Sequence, residues 1–269
     1  MDGQLAAAAT FVAHARAWRA GRAPKPSYSN LAAFRHAHEL YFDTPVGLVI
    51  PGREHYRPKD VSRWLDWIPR AGARDLRVGV LGGVIRDTRL AERARMATFS
   101  PFRFTVVDTR GRMTAWVSER EPVTTTQNRR GLWVVHFRHV EDASLAPDLS
   151  VEDATRRLQT VILHALDHAR REPRLAQWTS TLERSLAVLA GAGPPHGPFD
   201  VLPDYGYTDA ATRLVTGVHL AWILGGEGSW SDYEARSKPD ARLHDQTTSE
   251  LYACLIEAML AAVNDGLAA

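Results

Sequence analysis

Apolar positions recur at helical spacing near both ends of the chain and alternate at strand spacing in its middle third. Leu5 to Ala20 is an alanine-rich run carrying Phe11, Val12 and Trp18. Gly21, Pro24 and Pro26 close it, which predicts a first helix with an ordinary exit. Ser29 stands where it would cap a second helix, periodic through Leu31, Phe34, His38, Leu40 and Tyr41 and ending near Asp43 before Pro45. Val46 to Ile50 reads as a short strand stopped by Pro51 and Gly52. Lys59 to Ile68 reads as a third helix with Val61, Trp64, Leu65 and Ile68 on one face.

Strand signals then take over. Arg77 to Leu81 is a strand candidate punctuated by Gly82 and Gly83, and Asp87 to Met96 has an amphipathic helical pattern. Phe102 to Val107, the turn residues Asp108 to Gly111, and Met113 to Val117 together predict a hairpin. Leu132 to Val140 alternates well enough to pair beside it, so the middle of the chain is expected to hold an antiparallel meander.

Beyond Pro147 the period returns to 3.6. Ser150 and Asp153 have capping-box spacing ahead of the stripe Ala154, Leu158, Val161, Ile162, Ala165 and Ala169. Trp178, Leu182, Leu186 and Leu189 mark another helix, and residues 191 to 204 read as a Gly- and Pro-rich linker. Thr208 is placed to cap a helix running through Leu224 that is apolar nearly all round and therefore buried. About twenty polar residues separate Gly225 from a last helix that Thr247 and Glu250 open and Gly266 closes.

The fold class this predicts is α+β, with an antiparallel sheet in the N-terminal half, flanking helices, and a helical C-terminal half. Residues 1–147 form the mixed region and 148–269 the helical region packed on it, the two allowing for one continuous domain.

Composition narrows the setting. The chain has 269 residues, 45% hydrophobic and 24% charged, which suits a packed globular protein. No apolar stretch reaches the length of a membrane span, and the N-terminus lacks the basic-then-apolar order of a secretory signal. Cys254 is the only cysteine, which rules out an internal disulfide and a zinc site built on several thiolates, and a reducing cytoplasm is the expected location. Lys25, Lys59 and Lys238 are the only lysines among the 33 basic residues, so arginine carries the positive surface. The net charge is only +2 and acidic residues are interspersed, so bulk nucleic-acid binding is not indicated.

Candidate chemistry is sparse. His164 and His168 lie one helical turn apart, the spacing at which two imidazoles converge on a metal. No glutamate of an HExxH motif stands between them, and the same positions suit boundary histidines of a packed helix. His219 and His136 are the other imidazoles that folding could bring near. No cofactor is predicted, a divalent metal entering only through that pair. Residues two apart cannot chelate from one helix, which sets aside His36 and His38, and the three-residue spacing of His136 and His139 puts them on opposite sides of a strand. Gly79, Gly82 and Gly83 follow a strand pattern, but G-x-x-G-G lacks the spacing of a dinucleotide fingerprint. No Gly-x-Ser-x-Gly elbow, Walker loop or kinase motif set occurs.

The segment Gly225 to His244 is the least ordinary feature. It carries Trp230, Asp232, Tyr233 and Arg236, and loops of that length in a compact domain tend to be functional or disordered; the competing reading, which the aromatic residues favour, is that Trp230 and the tyrosines pin the loop to the body. Asp204, Tyr205 and Tyr207 form a second aromatic and acidic cluster at the other end of the preceding helix, roughly 24 Å away along its axis. Two function classes follow. The first is a non-catalytic binding or interaction protein that uses the arginine surface and the 225–244 loop for an anionic ligand or a protein partner, with Trp230, Asp232, Tyr233, Arg236, Asp204 and Tyr205 as contacts. The second, ranked behind it, is a metal-dependent hydrolase built on His164 and His168. Oligomeric state leaves no mark in the sequence.

Overall fold

The computed structural model describes residues 3–25, 37–43, 55–56, 64–66, 72–80, 102–122, 133–140, 149–193, 202, 205–225, 228–235 and 237–268. Among these, an α+β fold is observed: a sheet in the N-terminal half, flanked by helices, and a helical C-terminal half. The strands are β1 (Ala37–Asp43), β2 (His55–Tyr56), β3 (Ala73–Val80), β4 (Phe102–Asp108), β5 (Met113–Pro122) and β6 (Trp133–Val140). The helices are α1 (Gly3–Arg19), α2 (Val151–Arg171), α3 (Thr179–Leu189), α4 (Asp209–Ala221) and α5 (Lys238–Asp265).

The strand order is β2-β1-β6-β5-β4-β3. β3, β4, β5 and β6 form the expected antiparallel meander, and the hairpin closes where Asp108 accepts hydrogen bonds from the backbone of Arg110 and Arg112. Gly111, at φ 76°, takes the left-handed turn position that a side chain resists.

One expectation is overturned. Residues 37–43, read as the end of a second helix, are strand β1, which runs parallel to β6. His38, Leu40 and Phe42 also fit a period of two, and Phe42 sits opposite Phe137 with its ring stacked on it at 4.7 Å. Pairing across the sheet decides between two periodicities that a short segment satisfies equally. The stretch 59–68 is described only at 64–66, which is helical as expected. The proposed strand 46–50, the helix 87–96 and Gly82-Gly83 lie outside the described residues.

One sheet face supplies an aromatic core. Phe42, Phe104 and Trp116 meet Trp64 there, Phe137 packs on Phe42 and Phe104, and Phe11 of α1 enters among them with its ring 5.3 Å from Phe104 and 5.4 Å from Trp64. From Leu5 to Ala13, helix α1 is buried on every side, which its alanines permit because Ala7, Ala8, Ala9 and Ala13 let neighbouring backbones come close. It packs on β3, β4 and β5 on one side and on α5 on another. Gly21 ends it at φ 71°, with Gly21 and Arg22 donating back to the carbonyls of Trp18 and Ala17.

Helix α5 is the hub of the C-terminal half. It packs against α2 and α4 and also against β3. It begins nine residues before the predicted start, at Lys238. Ser237 is its N-cap, accepting from the Asp240 backbone, and Pro239 occupies the first turn. The supposed twenty-residue loop is therefore much shorter, with a 3-10 turn at Trp230–Asp232 inside it. At the other end, Asp265 accepts from Val151 at the start of α2, beside the expected Ser150 cap. Thr208 caps α4 as expected, and that helix stops at Ala221 rather than Leu224. A Cβ on Gly217 would lie 2.5 Å from a Leu189 methyl, so α3 and α4 approach closely there and a side chain at 217 would force Leu189 to shift.

Candidate functional site

The residues singled out around Trp230 come together at the N-terminal part of α5, and each has a defined local role. Trp230 is fully buried, and its indole N–H, which can only donate, gives its hydrogen to Thr248 Oγ1 at 2.9 Å. Asp232 accepts from the Ser229 backbone and so closes the 3-10 turn. Tyr233 donates from its hydroxyl to Oε2 of Glu172, the C-cap of α2, at 2.9 Å. These contacts pin the loop to α2 and α5, and they make Trp230 a core residue rather than a surface contact. Arg236 and Asp204 lie outside the described residues.

Two histidines complete this corner. His244, in the second turn of α5, is 2% exposed and stacks on Trp230 at 5.4 Å. Its Nδ1 lies 3.3 Å from His168 Nε2 on α2, and its Nε2 lies 3.4 Å from Thr248 Oγ1. Four side chains thus form a continuous polar chain, Trp230 to Thr248 to His244 to His168, enclosed by aromatic rings. Two facing neutral imidazoles satisfy each other, one donating and one accepting, whereas two imidazolium ions at that distance would repel. Burial holds the His168 pKa below its ordinary value, so the ring is neutral at pH 7; Glu172, Asp240 and Asp167 act in the opposite sense and Arg171 with the burial. Burial also raises the Tyr233 pKa, together with the hydrogen bond to Glu172.

The histidine pair picked out by spacing is not the pair that folding brings together. His168 turns inward to His244, while His164 is exposed. Among the described residues no three His, Cys, Asp or Glu side chains gather as a metal site would require. His219, half-buried on α4, has a pKa lowered by desolvation, and His139 packs its ring on Trp116.

Beside the histidines lies a cavity of about 450 Å³. Its walls are residues 231–235 and, from α5, Ala241, His244 and Asp245. Three of these residues, Asp232, Glu234 and Asp245, are acidic, and none of the described lining residues is Lys or Arg. Ser231 is 4% exposed, and its hydroxyl has no hydrogen-bond partner among the described residues.

The second cluster is elsewhere. Tyr205 is exposed, Tyr207 donates to the Val263 carbonyl and bridges to Leu267, and Thr208 donates to the Gly266 carbonyl. Thr248 and Val263 are separated by about 22 Å along α5, so the two clusters stay apart as the helix length implied. Sequence reasoning missed His244, Thr248, Glu172 and Ser231 as members of the site. The signal for the first two was Ser237-Lys238-Pro239-Asp240, a capping pattern with proline in the first turn, which places His244 and Thr248 one turn apart on α5.

Among the described residues, several arginines form ion pairs within the chain. Arg112, Arg138, Arg157 and Arg170 pair with Asp108, Glu119, Glu257 and Glu183. Arg171 and Arg156 pair within α2 with Asp167 and Asp153. Among the described residues no helix is long and apolar enough to cross a membrane. The chain matches no family model, and no curated protein or solved structure is found to be similar to it.

Proposed function

We propose that this chain is a binding protein whose ligand site is the cavity between residues 231–235 and the first turns of α5. The observation that carries this reading is a cavity of about 450 Å³ walled by the 231–235 segment on one side and by Ala241, His244 and Asp245 of α5 on the other. That volume falls in the range of small-molecule sites. The pins through Trp230, Tyr233 and Asp232 support it further, because they hold the wall in a preformed shape and so lower the cost of binding. Binding rather than catalysis fits the chemistry present. The two histidines are occupied with each other, and no activated nucleophile stands beside them among the described residues.

The test is a backbone amide NMR titration with a set of small organic fragments comprising amines, alcohols, carboxylates and phosphates. At least one class is expected to shift the amides of Ser231, Tyr233, Ala235 and Ala241 together. Ala241→Trp fills the cavity and is expected to abolish those shifts while leaving the rest of the spectrum folded. Shifts that survive Ala241→Trp, or fragments of every class passing without effect, would remove the cavity as the ligand site.

A further inference from the structure

We propose that residues 229–233 are an acid-released latch: a proton taken up by the His168 and His244 pair frees this segment from α2 and α5. The direction of the hydrogen bonds beneath Trp230 is the ground for it. The indole N–H can only donate, and it gives its hydrogen to Thr248 Oγ1. The Thr248 hydroxyl then needs an acceptor of its own, and among the described residues that acceptor is His244 Nε2, at 3.4 Å. With Nε2 accepting, a neutral His244 carries its hydrogen on Nδ1 and donates to His168 Nε2, 3.3 Å away. His168 therefore holds its own hydrogen on Nδ1. Every donor in this run has one acceptor, and both rings are neutral.

One more proton breaks the run wherever it lands. On His244 Nε2 it points at the Thr248 hydroxyl hydrogen. On His168 Nε2 it meets the His244 hydrogen, and moving that hydrogen to His244 Nε2 produces the same conflict at Thr248. Either way the Thr248 hydroxyl loses its acceptor beneath Trp230, and an imidazolium is left under aromatic rings. His244 is 2% exposed and His168 7%, with the Trp230 ring within 5.6 Å of both and Tyr233 covering His244 at 4.8 Å. Lifting the segment admits water to the new charge.

The charged groups acting on His168 are Asp167 and Arg171 of α2, Glu172 at its C-cap, and Asp240 of α5. Arg242 and Asp245 flank His244 along α5. Tyr233 faces both rings from the segment, between Asp232 and Glu234, and Arg174 donates to the Glu234 carbonyl. Three of the carboxylates favour an imidazolium, yet burial outweighs them and holds the His168 pKa below its ordinary value. Charge sets the pH at which the proton arrives; the count of hydrogens between the rings sets what it does. The latch needs no ligand, and on the cavity reading given above its release would also dismantle that site, since 231–235 form one wall.

NMR of the ligand-free chain between pH 8 and pH 5 tests this. At pH 8, long-range proton–nitrogen spectra of the imidazoles should show both His168 and His244 as Nδ1–H tautomers. The Trp230 backbone N–H, which donates to the Ile223 carbonyl at 3.0 Å, reports the latch. From pH 8 to pH 5 its exchange protection factor should fall at least tenfold further than that of Leu255, inside α5. A His168→Gln/His244→Gln double variant, with no ring left to protonate, should reduce that excess fall to less than about threefold. Because no fragment is present, the latch stands or falls apart from the cavity reading. An Nε2–H tautomer at His168 at pH 8 would overturn the assigned direction and the latch with it. So would Trp230 protection that tracks Leu255 at both pH values, or an excess fall that persists in the double variant. Should that variant not fold, the tautomers and the two-pH comparison of the unaltered chain still decide.

Discussion

The side chain of Asn264 pairs with the backbone of Val78 as a further strand would. Its Oδ1 accepts from the Val78 N–H at 2.9 Å and its Nδ2 donates to the Val78 carbonyl at 2.8 Å. β3 is an edge strand, with unpaired groups that would template association. Arg16 and Arg19 of α1 donate to the carbonyls of Leu76 and Ala73 on the same edge. Two helices from opposite ends of the chain therefore cover it. Because the Val78 polar groups point outward, its side chain is in the close pairing opposite Phe104, inside the aromatic core.

Replacing Asn264 by Ala leaves two polar groups of β3 without partners. We expect a loss of about 1–3 kcal/mol in urea unfolding and faster amide exchange at Val78 than at Val106 in the interior of the sheet. An unchanged midpoint and unchanged exchange would mean water replaces the carboxamide at no cost.

Phe11 is the point at which α1 enters the sheet core, within 6 Å of four aromatic rings from Phe42, Trp64, Phe104 and Phe137. Phe11→Ala is expected to cost about 3–5 kcal/mol, and Phe11→Leu clearly less, in equilibrium unfolding. A loss below about 1 kcal/mol for the alanine variant would show that α1 does not depend on this ring.

Acid should loosen the His168 and His244 corner. A histidine whose pKa is lower folded than unfolded makes no difference at alkaline pH, where it is neutral in both states. Below about pH 6.5 the unfolded chain takes up a proton that the folded chain resists, so stability falls as pH drops toward the folded pKa of His168. His219, also lowered by burial, adds to the same slope. Unfolding free energies measured from pH 8 to pH 5 should decline, and His168→Gln should flatten the decline between pH 6.5 and 5. A slope unaffected by that variant would place the acid sensitivity elsewhere.

Burial pushes the Cys254 thiol up to about 12, with the Glu257 charge adding to the effect. Almost none is thiolate at pH 8, and the residue is 5% exposed. Iodoacetamide at pH 8 should leave native protein unlabelled over hours and modify it rapidly in 6 M urea. Rapid labelling of native protein would mean α5 opens far more readily than its packing implies.

Particular elements show what kind of information each level carries. The 102–117 hairpin, the Ser150 and Thr208 caps and the Gly21 stop were legible because each depends on neighbours in sequence: turn chemistry, a hydroxyl reaching three residues ahead, a residue tolerant of positive φ. β1 was not, because residues 37–43 satisfy two periods and only β6, about a hundred residues away, chooses between them. The start of α5 lay between these cases: its cap was readable at Ser237, but a polar first turn disguised it as loop.

Local stereochemistry and the spacing of apolar side chains thus determined the class of fold, most of its helices and the central hairpin. Tertiary structure decided which partners the polar side chains would have. It turned His168 toward His244 instead of leaving it with His164, buried Trp230 against Thr248, and set three carboxylates around one cavity. The reason is that helix and turn signals act within a few residues of chain, whereas a hydrogen bond or a cavity between α2, the 228–235 segment and α5 exists only after distant segments have packed.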